Sequence, residues 1–240
     1  MPTIEVLGLD FRYPSVERRA LDDVTLTLDA GMRVIMVGRN GAGKTTLLHV
    51  LAGKHLVPEE KVRVLGRAAF HDTSLAHDVM FLGGGFNFDV DVVVADILAR
   101  TPRLDPHRRD RLLNVLGVNP GWHMHRISDG QRRRVQILLG LLKPARVMLL
   151  DEVTTDLDLI ARADLLQFLR EETEERGATI LYATHILDAM EEWATHIAYL
   201  EAGKLVTMTR LADLPELQRY RREQASAPLF RLVESWLRSG

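Results

Sequence analysis

The 240-residue chain has no cysteine, which excludes disulfides and thiol chemistry and suits a reducing compartment. An excess of either charge is also missing. With 31 Lys and Arg against 33 Asp and Glu, the net charge is −2. No global basic field therefore recruits nucleic acid or an anionic membrane surface. No apolar run approaches the ~20 residues of a membrane helix; Val135–Leu142 is short and broken by Gln136. The opening Met1-Pro2-Thr3-Ile4-Glu5 lacks the basic start and apolar stretch of a signal peptide. These absences lead us to expect a soluble, cytoplasmic protein without a membrane span of its own. Internal repeats and low-complexity segments are absent too. What remains, 46% hydrophobic and 27% charged residues, is ordinary for a globular protein. The length allows one sizeable core with room for a subdomain.

The chain is organised around Gly38-Arg39-Asn40-Gly41-Ala42-Gly43-Lys44-Thr45-Thr46. An apolar run, Val34–Val37, reads as a buried strand before it, and Leu47–Ala52 reads as a helix after it. Strand, glycine-rich loop, helix is the context in which the G-x-x-x-x-G-K-[ST] pattern marks a phosphate-binding loop. Gly38, Gly41 and Gly43 let backbone N–H groups approach phosphate oxygens, and the helix N-terminus adds positive potential. Lys44 is placed to reach the β- and γ-phosphates of a nucleoside triphosphate, and the Thr45 hydroxyl to ligate Mg²⁺. Thr46 extends the first turn.

Residues 3–37 alternate apolar and polar side chains and read as β-rich, with Tyr13-Pro14 a fixed extended point that displays an aromatic ring. Strands are expected at Lys61–Leu65 and at Val79–Leu82, the latter ended by Gly83-Gly84-Gly85. Three glycines at a strand end suggest a hinge or a close backbone approach. A helical pattern spans Val92–Leu116, divided by Pro102 and Pro106. Residues 86–144 are read as a helical subdomain inserted into an α/β core. Ser128 is a good N-cap for a long helix ending at Lys143-Pro144.

Val147–Leu150 is a buried strand that runs into Asp151-Glu152. Such a pair is often a solvated turn, but in a chain with a phosphate loop it marks the place where Mg²⁺ and hydrolytic water are handled. A helix over Leu159–Arg176 leads to the strand Thr179–Ala183, which delivers His185 to the same edge of the sheet. Ile197–Leu200 and Lys204–Val206 read as a closing hairpin, and two amphipathic helices follow within residues 209–240. Their apolar faces are expected to pack on the domain itself, a partner or dimer surface being the alternative. Arg132-Arg133-Arg134 point in different directions on a helix and are read as solvated or intramolecular contacts, not as a nucleic-acid stripe.

Taken in order and spacing, Gly38–Thr46, Ser128-Asp129-Gly130-Gln131, Val147–Glu152, Thr155-Asp156-Leu157-Asp158 and His185 resemble the nucleotide-binding domain of the ATP-binding cassette (ABC) family. The resemblance covers residues 1 to about 208. It implies a P-loop NTPase core of the ABC type, α/β, with an N-terminal antiparallel β-subdomain and an inserted helical subdomain. It also implies an adenine-stacking role for Tyr13, Mg²⁺ ligation by Asp151, general-base action by Glu152 and γ-phosphate sensing by His185. Ser128, Gly130 and Gln131 resemble the signature loop that contacts ATP held by a second copy, so a head-to-tail homodimer with two ATP molecules is implied.

Three positions depart from the family pattern. Asp129 stands at a usual glycine, Val153 at a usual proline, and Gly83-Gly84 where a glutamine usually follows the strand. In transporters that glutamine touches Mg²⁺ and lies in the loop facing the membrane subunits, so its loss argues against a membrane partner. The strings Trp122–Gln136 and Asp151–Asp158 are similar to a small soluble branch of ABC ATPases without membrane domains. The eukaryotic member of that branch associates with the complex controlling transcription and mRNA deadenylation. The expected function is a soluble Mg²⁺-dependent ATPase that uses dimer closure to act on a macromolecular partner, with no direct nucleic-acid signal. The alternatives are the ATP-binding subunit of a transporter with separate membrane chains, and a non-hydrolysing ATP-binding adaptor.

Overall fold

The computed structural model describes residues 1–85 and 91–239. Two sheets form, and alternation writes the first. β1 (Ile4–Phe11) pairs antiparallel with β2 (Leu21–Leu28), Ile4 opposite Leu28 and Val6 opposite Leu26. Those four side chains are buried, whereas Thr25 and Thr27 between them face solvent. β4 (Val62–Val64) joins the other side of β1, and β5 (Arg67–Ala68) completes the order β2-β1-β4-β5. This is the antiparallel β-subdomain expected from the sequence.

The second sheet contains β3 (Arg33–Val37), β6 (Val79–Leu82), β7 (Val147–Asp151), β8 (Thr179–Ala183), β9 (His196–Glu201) and β10 (Lys204–Arg210), in the order β10-β9-β3-β8-β7-β6. Only β10 runs antiparallel to its neighbour. Strands covered on both faces need no polar side, which is why β7 and β8 read as continuous apolar runs. Their side chains alternate between two cores. Val147, Leu149, Leu181 and Ala183 join the core around α1 (Lys44–Leu51) and the first sheet. Met148, Leu150, Ile180 and Tyr182 join the core around α4 (Asp129–Leu141) and α5 (Leu159–Arg176). Because β3, β6, β7 and β8 are parallel, the segments that follow all four emerge at one edge.

Pro106 opens α3 (Pro106–Val115) at its first turn, with Asp105 capping the His107 N–H at 2.9 Å; α2 (Val94–Ala99) precedes it. The helical segment expected over 86–144 opens at 86–90, outside the described residues, and α2, α3 and α4 occupy the remainder. Ser128 caps α4 as anticipated, in a reciprocal capping box with Gln131. The turn ahead of it is braced by Asp91, whose Oδ1 lies 3.1 Å from His123 Nδ1 and 2.6 Å from His125 Nδ1. Arg126 Nε donates to His125 Nε2 at 3.0 Å. The proton of that imidazole is therefore assigned to Nδ1, toward Asp91, so the cluster is a hydrogen-bonded brace and not an open metal site. A buried ion pair ties the helices together. Arg108 on α3 meets both oxygens of Glu172 on α5, at 2.7 and 3.1 Å, and its Nε donates to the Leu141 carbonyl of α4 at 2.6 Å.

The end of the chain packs on its own domain. β10 continues through Arg210, so the boundary expected at 208 falls inside a strand. α6 (Met190–Trp193) and α7 (Pro215–Arg222) lead to α8 (Pro228–Ser239), which buries Leu229, Leu232 and Val233 in the larger core. Trp236 stacks on Tyr199 with ring centroids 5.3 Å apart, and Arg39 Nε in the glycine-rich loop donates to the Leu237 carbonyl at 3.1 Å. No described helix is long and apolar enough to cross a membrane.

Candidate functional site

The loop after β3 is closed so tightly that two of its residues must be glycine. A Cβ on Gly38 would lie 2.2 Å from the Leu200 carbonyl oxygen, and one on Gly43 2.6 Å from that of Ala20. Gly43 also holds φ 106° at the start of α1, a conformation closed to ordinary L-residues. Arg39, Asn40 and Gly41 are exposed at the crest of the loop. Lys44 Nζ folds across its mouth and donates to the Gly38 and Arg39 carbonyls at 2.7 and 3.1 Å. Burial pulls the Lys44 pKa down, against the opposing pull of Glu152 and Asp151. Thr46 is buried and its hydroxyl lies 3.2 Å from that of Tyr13. Tyr13 is thus brought to the loop helix, edge-on to Phe11 and His55 at 5.1 and 5.3 Å.

Three further strand ends face this loop. The Thr45 hydroxyl donates to Asp151 Oδ2 at the end of β7, at 2.7 Å. Glu152 Oε2 lies 2.9 Å from His185 Nδ1, and the His185 amide donates to the same oxygen at 3.3 Å. Glu152 holds φ 50°, the left-handed region, where a non-glycine residue stores about 1–3 kcal/mol of strain. Several contacts hold it there. Its own N–H donates to the Ala183 carbonyl at 2.9 Å, and its carbonyl accepts from Arg133 Nη2 and Thr155 Oγ1, each at 3.1 Å. Behind it, buried Tyr182 Oη lies 2.7 Å from Thr154 Oγ1 and accepts from the Thr154 N–H at 3.2 Å.

Between the helical lobe and the sheet lies a cleft of about 500 Å³ lined by Thr45, Gly84, Arg133, Gln136, Asp151 and Glu152, among others. Gly83 makes the close approach expected of the glycine run, since a Cβ there would lie 2.7 Å from Asp151 Cβ. Arg132 and Arg134 make the intramolecular contacts anticipated for them, to the Met124 and Leu116 carbonyls at 3.4 and 3.2 Å. Arg133 does more, projecting into the cleft. The available signal is helical spacing: Asp129, Arg132, Arg133 and Gln136 recur at i, i+3, i+4 and i+7, a polar stripe along one face of the helix. Among the described residues, Ser128, Gly130 and Gln131 lie outside the cleft lining. Ser128 and Gln131 engage each other, and a Cβ on Gly130 would make ordinary contact, 3.4 Å, with the Asp156 carbonyl oxygen.

A glycine-rich loop closing onto a helix, with a threonine hydroxyl held against an aspartate at a strand end, is the site of a P-loop nucleotide-binding protein. Comparison with known proteins agrees. Residues 21–155 match the family described as ABC transporter. The chain is 47% identical over 256 residues to "ABC transporter I family member 20" of Arabidopsis thaliana, covering 98% of this chain and 76% of that protein. It is 39% identical over 225 residues to "CCR4-associated factor 16" of Saccharomyces cerevisiae, covering 85% and 77% respectively. Among solved structures, the ATP-binding subunit of an ABC transporter superposes with a TM-score of 0.79 at 23% identity, covering 98% of this chain and 99% of that one. A dimeric ATP-binding cassette in a post-hydrolysis state with ADP and phosphate gives 0.73 at 22% identity, covering 87% and 98%. The protein belongs to the ABC transporter family, and its fold is the ATP-binding cassette.

Proposed function

We propose that the protein hydrolyses Mg²⁺-ATP at a head-to-tail homodimer interface and uses closure to act on a macromolecular partner in the cytoplasm. The observation that carries this reading is the convergence of Thr45, Asp151, Glu152 and His185 at one edge of the sheet, with Thr45 and Asp151 2.7 Å apart. The positive φ values of Gly38, Gly41 and Gly43, which turn the loop tightly, fit the close approach of phosphate oxygens to loop amides. Gly38, Asn40, Gly41, Gly43, Lys44, Thr45 and Thr46 supply that binding, with Tyr13 as the base-stacking ring. Hydroxyl and carboxylate oxygens at one spot are the hard donors Mg²⁺ prefers, so Thr45 and Asp151 would hold it. Bound there, the metal would neutralise charge on the β- and γ-phosphates.

Hydrolysis requires a water at the γ-phosphorus on the side away from the leaving ADP. Glu152 takes the proton of that water as its oxygen bonds to phosphorus, and ADP departs with the P–O electron pair. Glu152 is suited to this by its fixed backbone, and His185, beside one of its carboxylate oxygens, would sense the γ-phosphate. Ser128, Gly130 and Gln131, at the N-terminus of α4, supply amides and dipole to the triphosphate of a second copy. Residues 1 to about 208, extended to the end of β10 at Arg210, would form the catalytic unit and the helices beyond it an accessory tail. The yeast relative's name supports a protein complex as the partner. Gly83-Gly84, at the place of the usual glutamine, disfavour a membrane subunit.

Glu152→Gln tests this. Loss of the base should lower phosphate release by about 10²–10⁴-fold. With ATP the variant should move from monomer to twice the mass in light scattering. A wild type that releases no phosphate, together with a variant that stays monomeric across protein concentrations, would sink the proposal.

A further inference from the structure

The base role proposed for Glu152 needs a fixed backbone, and contacts from other residues hold it. Its left-handed conformation needs external partners, and one of them arrives from the other lobe. The Arg133 guanidinium reaches out of α4 and grips three carbonyls at two neighbouring strand ends. Nη1 donates to Gly84 after β6 at 3.0 Å, and Nη2 donates to Glu152 and Asp151 after β7 at 3.1 and 3.4 Å. Nη1 also donates to Gln136 Oε1, one turn further along α4, at 2.5 Å. Half-buried and lining the cleft, this cation is bonded to helix and sheet at once. A planar fork with donors on separate nitrogens spans carbonyls at two strand ends better than an ammonium, whose three donors radiate from one atom.

We propose that Arg133 is a positioning residue: it holds the Glu152 backbone in its productive conformation and makes that conformation depend on where α4 lies. The inference rests on the reading of Glu152 as general base. Arg133 touches protein carbonyls and no reacting atom, so it acts through Glu152. The geometry also supplies a line of communication. Ser128 and Gln131 form the N-terminal turn of the same helix, and at about 1.5 Å rise per residue Ser128 lies only ~7–8 Å along the axis from Arg133. A second copy or partner that docks on that turn and shifts α4 moves the guanidinium, and with it the carbonyls of Glu152 and Gly84. The glycines after β6 have no side chain to make this link; the arginine makes it from the opposite side.

The test uses the full chain with Arg133→Met, which keeps length and removes the fork, and Arg133→Lys, which keeps charge. A base displaced by about 1 Å costs roughly 100-fold in rate. Arg133→Met should therefore lower kcat by about 100-fold and leave KM for ATP within about twofold. Arg133→Lys should recover little of the loss. Methylguanidinium at millimolar concentration should restore turnover to Arg133→Ala without affecting wild type, a response that a generally destabilised protein does not show. Amide exchange provides a readout independent of turnover. In Arg133→Met, residues 152–155 and 83–85 should exchange faster, while 38–46 stay as in wild type.

Unchanged exchange at 152–155 would overturn the proposal. So would a kcat within twofold of wild type, or a loss matched by weaker ATP binding and not rescued by methylguanidinium. A wild type without phosphate release but with the local loosening in Arg133→Met would defeat the hydrolase reading alone and leave the positioning role standing.

Discussion

The Thr45 hydroxyl donates to Asp151 Oδ2 at 2.7 Å although the two residues lie 106 positions apart. One lies in the first turn of the helix after β3, the other ends β7, and β8 lies between those strands in the sheet. The contact therefore measures how closely the phosphate loop and the acidic strand end are registered across the sheet. Thr45→Val removes the hydroxyl from both its present partner and its proposed metal. The variant should bind ATP with a loss of Mg²⁺ dependence, measured by titrating Mg²⁺ against ATP-induced thermal stabilisation. Undiminished Mg²⁺ dependence would remove Thr45 from the metal site.

Lys44→Ala should abolish nucleotide-dependent stabilisation. Ligand at 100 times its Kd adds about 2.7 kcal/mol to folding stability. For a chain of this size that corresponds to roughly 5–10 °C in Tm. Differential scanning fluorimetry with and without Mg²⁺-ATP reads it directly. Because Lys44 donates to the Gly38 and Arg39 carbonyls, the variant without ligand will also melt somewhat lower, so the ATP-induced increment is the quantity to compare.

Gly84→Gln restores the amide that the family usually carries after β6. Among the described residues, nothing lies within 4 Å of a Cβ built on Gly84, whereas one on Gly83 would strike Asp151 Cβ at 2.7 Å. The position holds φ 73°, so the substitution costs about 1–2 kcal/mol of stability. Water readily replaces a neutral amide on Mg²⁺, which commonly keeps several waters. Turnover of radiolabelled ATP should therefore change far less than in Glu152→Gln, and an inert wild type revived by Gly84→Gln would make the non-hydrolysing adaptor the better account.

Arg108→Ala should destabilise the fold by about 3 kcal/mol, the low end for breaking a buried pair, because the buried Glu172 carboxylate loses its two-pronged partner and keeps only the exposed Arg176 at 3.3 Å. At ~2–4 °C per kcal/mol, thermal unfolding should shift down by roughly 10 °C. Arg108→Ala combined with Glu172→Met should recover part of the loss, since no uncompensated charge remains. If the single variant melts within about 2 °C of wild type, the pair braces nothing.

Tyr182 gives a pH signature. Burial pushes its phenol up to about 12, against the Thr154 hydrogen bonds that favour the ionised form. A raised pKa in the folded state means stability that is complete below the ordinary tyrosine value near 10 and is lost as pH climbs toward 12. Tyr182→Phe removes this titration and leaves the buried Thr154 N–H and hydroxyl without their partner, at about 1–3 kcal/mol. The deficit of the variant relative to wild type should be full at pH 8 and shrink between pH 10 and 12 in urea unfolding. A gap that stays constant across that range would refute the shift.

Much of the fold is local in origin and was open to reading in the sequence. Leu159–Arg176 is a helix in sequence and structure alike, because Asp158 caps its start and Gly177 takes the left-handed conformation at its end. The same holds for Ser128 and α4, and for the apolar strands that deliver Gly38, Asp151 and His185. Parallel strands bring their C-terminal ends to one edge, so the gathering of the glycine-rich loop, Asp151, Glu152 and His185 at that edge followed once the strands were known.

Sequence determined which residues can bind phosphate, hold a hard cation or take a proton, because those capacities belong to residue type and to near neighbours. Tertiary structure alone decided where long side chains end. Helical spacing sets Arg132 and Arg133 apart from Arg134, but only the packing of α4 beside β6 sends Arg133 to the carbonyls of Gly84 and Glu152. The tail helix is likewise plain as an amphipathic stretch, but its seat beside the phosphate loop, with Arg39 bonded to the Leu237 carbonyl, spans 198 residues. Periodicity fixes which face of an element is buried; it carries no information about which element will cover it.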